Sequence, residues 1–244
     1  MSRGSANSTQ TAHLAGERFI IGNWKCHKTS NEARQWLDEF AASYKPDQRC
    51  RVVLAPPFTC LESVAKVLDD LKLPGVYLAA QDISPYPRGS YTGAIAATMV
   101  QGLADYVIIG HSERRQYFHE TLTDVANKLH EALDADLVPI VCVDMPDARS
   151  LMTMVKNSES ESVIVAYCPV EALQLRIPEP PEKLAESLTT LQTLHAVKTV
   201  VYGGSVYPDT VGGYLALSNL SGIFVGDASL EVKSFLKIVN AACS

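Results

Sequence analysis

Eight short apolar runs recur along the sequence, each closed by a turn residue and followed by a segment of helical periodicity. They are Phe19 to Gly22, Val52 to Ala55, Val76 to Ala80, Val107 to Gly110, Ile140 to Val143, Val163 to Ala166, Thr199 to Tyr202 and Ile223 to Val225. A β-branched run without polar alternation describes a strand covered on both faces, the habit of parallel sheets. The segments between them, such as Asn31 to Tyr44, Leu61 to Leu71, Leu122 to Ala135, Lys183 to His195 and Leu230 to Ala242, repeat apolar residues at helical spacing. Strict alternation makes the sheet parallel, and eight units of about 28 residues favour its closure into a single (β/α)8 barrel spanning residues 18 to 244. An open doubly wound sheet is the competing architecture, but its G-x-G-x-x-G fingerprint after the first strand is missing. One unit is thin. Asp144 to Ser162 contains Pro146 and the polar run Asn157-Ser158-Glu159-Ser160-Glu161, which predicts a shortened fifth helix near Ala148 to Lys156.

Residues 1 to 17 are rich in Ser, Thr, Ala and Gly and lack an apolar stretch, so they read as a flexible N-terminal tail and not a signal peptide. No run approaches the ~20 apolar residues of a membrane span. The net charge of -6 argues against a nucleic-acid partner, although a local pocket can still hold a small anion. Six cysteines (Cys26, Cys50, Cys60, Cys142, Cys168 and Cys243) show no C-x-x-C pair, and four lie in or beside apolar runs. That usage suggests free thiols in a reducing compartment, the cytoplasm. His119-Glu120 and His130-Glu131 do not build a zinc helix, so neither a metal nor a cofactor is expected.

In a barrel of βα units, chemistry collects where the strands end. The first strand ends in Asn23-Trp24-Lys25, whose lysine is either a solvated loop residue or an attractor of phosphate. The fourth ends in Gly110-His111-Ser112-Glu113-Arg114-Arg115, readable as Ser112 capping a helix or as a ligand-facing histidine and glutamate. The seventh ends in Gly203-Gly204-Ser205, a simple turn or a place where backbone N–H groups approach a ligand. The eighth ends in Gly226-Asp227, opening a helical turn that can receive an anion. Four such signals at equivalent positions describe an anion pocket facing a histidine and a lysine.

These residues carry a family resemblance. Asn23-Trp24-Lys25, Ala79-Ala80-Gln81, Ile108-Ile109-Gly110-His111-Ser112-Glu113-Arg114-Arg115, Ala166-Tyr167, Tyr202-Gly203-Gly204-Ser205-Val206 and Ala228-Ser229-Leu230 stand in the order seen in triosephosphate isomerases, and the chain resembles that family from about Arg18 to Cys243. The resemblance implies a TIM barrel that interconverts dihydroxyacetone phosphate and glyceraldehyde 3-phosphate through an enediolate, without metal or cofactor. Lys25 would hold the phosphate and the developing charge, supported by Asn23. A neutral His111 would donate to the substrate oxygen, with Glu113 beside it. Gly203, Gly204, Ser205 and Gly226 would bind the phosphate. The stretch from Gln81 to Gly93 would reach into a second copy, making a homodimer, although Ala94 replaces the glutamate usual after it.

Four departures bear on activity. The family's base is a glutamate, and Cys168 occupies its place. General-base help is worth typically about 10²- to 10⁴-fold, so its loss leaves a slow enzyme. The lid that should close over phosphate is rewritten from Glu171 to Pro181, with bulky residues and three prolines. Asp227 stands where the family has glycine, and like charges about 5 Å apart repel by roughly 3 kcal/mol per pair at an effective dielectric of ~20. Cys142-Val143-Asp144 replaces the usual Cys-x-Gly-Glu, which predicts that Tyr167 and Arg115 lose a partner. Two readings follow: an isomerase that is impaired or shifted to a related small sugar phosphate, with Cys168 as a weak or activated base, or a pseudoenzyme kept as a binding or assembly barrel. A third, a hydrolase with Cys168 as nucleophile and His111 as base, finds no G-x-S-x-G elbow.

Overall fold

The computed structural model describes residues 17–158, 162–194 and 197–243. Residues 1–16 of the segment read as a tail, Glu159 to Glu161 of the polar run, and the predicted helix end at His195 lie outside the described residues. In chain order the elements are β1 (Arg18–Asn23), α1 (Ser30–Ser43), β2 (Cys50–Ala55), α2 (Phe58–Leu71), β3 (Val76–Ala80), α3 (Ala97–Val100), β4 (Tyr106–Ile109), α4 (Ser112–Tyr117) and α5 (Leu122–Asp134). They continue with β5 (Val138–Val143), α6 (Ala148–Asn157), β6 (Ile164–Tyr167), α7 (Val170–Leu175), α8 (Pro181–Leu194), β7 (Thr199–Tyr202), α9 (Val211–Leu215), β8 (Gly222–Val225) and α10 (Val232–Cys243). The eight strands pair in sequence order into a closed parallel barrel, a single TIM barrel. The fifth-unit helix, α6, is short as its sequence predicts, at 10 residues.

Alternation along each strand explains why the apolar runs are unbroken. Phe19, Ile21, Val53, Ala55, Ile140 and Ile164 point into the barrel, while Ile20, Val52, Leu54 and Val141 face the surrounding helices. Both faces are buried, so neither tolerates polar residues. The seam is β8 against β1, with Gly222 opposite Phe19. A Cβ on Gly222 would lie 2.0 Å from the Phe19 carbonyl oxygen, so only glycine lets the last strand close on the first. Helices begin where capping permits: Thr29 with Glu32 and Thr121 with Asp124 form capping boxes at α1 and α5.

At the closed end of the barrel, Arg51 is bound to Glu17, donates to the Tyr106 hydroxyl at 3.2 Å, and lies 5.2 Å from the Tyr77 ring centroid. Glu17, at the edge of the segment read as a tail, is therefore held by the barrel. No described helix is long and apolar enough to cross a membrane.

One expectation is corrected. Cys50 at the start of β2 and Cys243 at the end of α10 form a disulfide, with Cα atoms 5.9 Å apart, while Cys26, Cys60, Cys142 and Cys168 are free. α10 packs against β1 and β2, which brings together two residues 193 positions apart in sequence. Spacing motifs could not reveal such a pair, and the argument from cysteine usage to a reducing compartment loses it. Closing so long a loop constrains the unfolded chain strongly. C243S is expected to cost about 4 kcal/mol and lower Tm by roughly 10 °C in thermal unfolding without reductant, with C26S unchanged.

Candidate active site

The site is assembled from strand ends. Asn23, 5% exposed, accepts the Lys25 backbone N–H on Oδ1 at 3.0 Å. Gln81 Nε2, arriving from the end of β3, donates to the Lys25 carbonyl at 2.8 Å and to the Ala55 carbonyl at 2.7 Å. These contacts hold Lys25 in a left-handed conformation, φ +50°, which costs a residue with a Cβ on the order of 1 kcal/mol. The strained backbone carries the ammonium into the barrel mouth, where Nζ lies 2.6 Å from Glu113 Oε1.

At the end of β4, Gly110 (φ +69°) turns the chain under Val125, whose methyls leave only 3.1 Å for a Cβ. The helix cap is His111, one residue before the Ser112 of the capping reading, because the imidazole accepts the Glu113 N–H on Nδ1 at 3.2 Å. That bond leaves any proton of the neutral ring on Nε2. Burial pushes the His111 pKa down to about 4; Glu113 opposes this, while Lys25, Arg115 and Arg114 add to it. His111 is thus a neutral donor at physiological pH.

The two arginines that follow have other duties. Arg114 reaches Asp82 at 2.8 Å and Glu120 at 2.9 Å, and the buried Lys128 binds the same two carboxylates. Two cations and two anions share one partly dry volume, a balance that buried charge requires. Arg115 pairs with Asp144 at 3.2 Å and with Asp147. The predicted loss of partners after the change at the end of β5 is therefore corrected. Asp144 reaches Arg115 itself, and the Tyr167 hydroxyl lies 3.4 Å from Glu179 Oε1 and 3.3 Å from the Ser187 hydroxyl.

Cys168 lies 1% exposed in the apolar interior cluster with Leu173 and Phe224, its N–H bonded to the Val143 carbonyl at 2.8 Å. Its sulfur packs on Gly203 so closely that a Cβ there would sit 2.6 Å from Sγ. A hydrogen bond with Cys168, together with burial, holds the neighbouring Cys142 thiol well above its ordinary pKa. Gly204 is constrained in a similar way, since a Cβ there would lie 2.2 Å from the Tyr202 hydroxyl oxygen.

The rewritten lid is docked. Its first half is the short helix α7, and Ser205 Oγ donates to the Ala172 carbonyl at 2.8 Å. Beyond it, the Glu179 N–H donates to the Tyr202 hydroxyl at 2.8 Å, and the Tyr214 hydroxyl donates to the Glu179 carbonyl at 2.8 Å. Between these fixed points Arg176 caps α7 in a left-handed conformation, φ +55°. Its Nη2 faces Asp227 Oδ2 at 3.9 Å, both side chains being largely exposed.

A cleft of about 180 Å³ results, bounded by Lys25, His111, Glu113, Ser205, Arg176 and Asp227. Gly203 and Gly226 also line it; Asn23 stands behind Lys25, facing a wider groove of about 610 Å³ that runs past Phe58, Tyr117 and Phe118. Cys168 and Gly204 are not among the cleft-lining residues. Sequence reasoning missed Arg176 and the backbone clamp made by Gln81. Arg176 gave a signal, being the one cation within Glu171 to Pro181, but nothing in the pattern aimed it at the mouth.

A His111 pKa near 4 in the folded chain, against 6.5 for an ordinary imidazole, means that the unfolded chain takes up the proton first. Stability from this residue is complete above pH 6.5 and is lost as pH falls toward 4, in total about 3 kcal/mol at 1.36 kcal/mol per pKa unit. H111Q is expected to flatten the stability profile in that window, as measured by urea unfolding at stepped pH.

The sequence matches the triosephosphate isomerase family over residues 18–242. Proteins named triosephosphate isomerase from Caldanaerobacter subterraneus subsp. tengcongensis and Gloeobacter violaceus are each 36% identical to it, and that from Thermodesulfovibrio yellowstonii is 34% identical. Each alignment covers 91% of this chain and 98% of the relative. With its closed eight-stranded barrel and the lysine and histidine at its mouth, the chain belongs to the triosephosphate isomerase family.

Proposed function

We propose that the barrel binds a small phosphorylated sugar and interconverts dihydroxyacetone phosphate and glyceraldehyde 3-phosphate through an enediolate, far more slowly than a barrel with a carboxylate base. The observation that carries this reading is the pair Lys25 and His111 on one rim, a cation beside an imidazole kept neutral. Enolisation places negative charge on the substrate oxygen, and a donor already aimed there stabilises it without reorganisation. Lys25 supplies charge, His111 supplies the Nε2–H, and Asn23 fixes the Lys25 backbone. Gly203, Ser205, Gly226 and the rim around Asp227 receive the phosphate.

Slowness follows from the other half of the reaction. Removal of a carbon-bound proton needs a base in hydrogen-bond reach. Cys168 is sealed against Gly203 and Leu173, so base assistance worth typically about 10²- to 10⁴-fold is missing. A second reading, a pseudoenzyme serving as a binding or assembly barrel, draws support from the docked α7 and the Arg176–Asp227 pair across the cleft.

Purified protein given glyceraldehyde 3-phosphate is expected to form dihydroxyacetone phosphate slowly, with C168A equal to the parent and H111Q lower by about 10²-fold. Loss of turnover in C168A would return the thiol to the chemistry. Binding without any turnover would select the pseudoenzyme. C168E alone is expected to gain less than about tenfold, since its carboxylate would be buried in an apolar cluster.

We also propose a homodimer through the segment Gln81 to Gly93. Tyr86 and Tyr91 stand out from it 46% and 45% exposed, their rings stacked at 4.8 Å. Exposed Tyr117 and Phe118 beside the wide groove offer an apolar receptor on a second copy. Light scattering is expected to give twice the 26.5 kDa chain mass, and Y91D is expected to return the monomer.

A further inference from the structure

We propose that Arg176, presented by the docked lid, is the residue that grips the ligand's phosphate, and that Asp227 holds this guanidinium while the site is empty. The proposal rests on the phosphorylated-ligand reading and deepens it. Four charged side chains bound the cleft, Lys25 and Arg176 against Glu113 and Asp227, so its rim is balanced when empty. A dianion can enter only if a cation is released to meet it. The two ion pairs differ in how readily they let go. Lys25 lies 2.6 Å from Glu113 with side chains 24% and 40% exposed, whereas Arg176 and Asp227 are 3.9 Å apart and 76% and 47% exposed. A wide, solvated pair is among the weakest interactions in a protein, while a guanidinium on phosphate forms paired, charge-assisted hydrogen bonds.

The lid backbone makes the exchange local. α7 is fastened through Ala172 to Ser205, and Glu179 is fastened through Tyr202 and Tyr214. Arg176 sits between these points with Leu173 packed inward, so only its side chain needs to turn. Asp227 then acts as a selector: it repels a second negative charge unless Arg176 is there to screen it.

The test compares D227N with D227N/R176Q, using inorganic phosphate in calorimetric titration, with dihydroxyacetone as the uncharged control. D227N is expected to bind phosphate about tenfold or more tighter than the parent, and adding R176Q is expected to weaken it by at least about tenfold. Dihydroxyacetone binding is expected to be unchanged across the set. Equal phosphate affinity in D227N and D227N/R176Q, no phosphate binding by D227N, or equal affinity in parent and D227N would each overturn the proposal. Both positions are solvent-exposed, so unchanged Tm values serve as the folding control. Turnover of glyceraldehyde 3-phosphate by the parent is read separately, so failure of the isomerase reading and failure of this one are distinguishable.

Discussion

Everything at the mouth of this protein depends on one close approach at the seam, Gly222 against Phe19. A parallel sheet of eight strands has two exposed edges until the last strand meets the first, and unpaired edges in an otherwise buried sheet are costly. Closure removes them and sets the angular positions of the strand ends around one rim. Lys25, His111, Cys168, Gly203 and Gly226 are scattered over some two hundred positions of sequence, yet they become neighbours by this single geometric condition. A side chain at position 222 would separate β1 from β8 and so part Lys25 from Gly226, where an added Cβ would meet the lysine Cε at 3.5 Å.

Within that rim, burial and charge divide the work unevenly. On the β1 and β4 side, electrostatics dominate: a strained lysine backbone is tied down by Asn23 and Gln81, and a histidine is kept neutral by burial and a backbone N–H. On the β6 side packing dominates, with a thiol, a phenyl ring and a leucine filling the interior. The first arrangement presents a cation and a neutral imidazole to the cleft. The second excludes water and charge alike. Arg114 and Arg115, the most eye-catching residues of the fourth strand's polar burst, act on the site only through their field on His111; their guanidinium groups bind α4 to Asp82 after β3, Glu120 before α5 and Asp144 after β5.

Much of this was legible in the sequence because it follows from period and steric rules. Strands buried on both faces announce themselves as unbroken apolar runs, and the thin fifth unit announces its short helix by its polar content. Lys25, His111 and Asp227 stand out as polar residues placed directly after such runs. What pattern cannot carry is direction and distance. Cys168 occupies a strand end like the others, but whether its sulfur faces ligand or core depends on Gly203, thirty-five residues later. The Cys50–Cys243 bond and the Arg176–Asp227 pair are likewise facts about long-range convergence, and only the folded barrel supplies them.

The disulfide at the foot of the barrel also changes the molecule's topology. With Cys50 joined to Cys243, all the residues between them form one covalent ring that includes β2 through α10. A ring cut once is still a single connected chain. A protease nick in the connection between α6 and β6, or in the proline-rich stretch after Arg176, would leave both fragments attached, and reassembly would proceed at the high effective concentration of a tethered partner. Among the described elements β1 and α1 lie outside that ring, held by the place of β1 in the sheet and by the packing of α1 on α2 and α10.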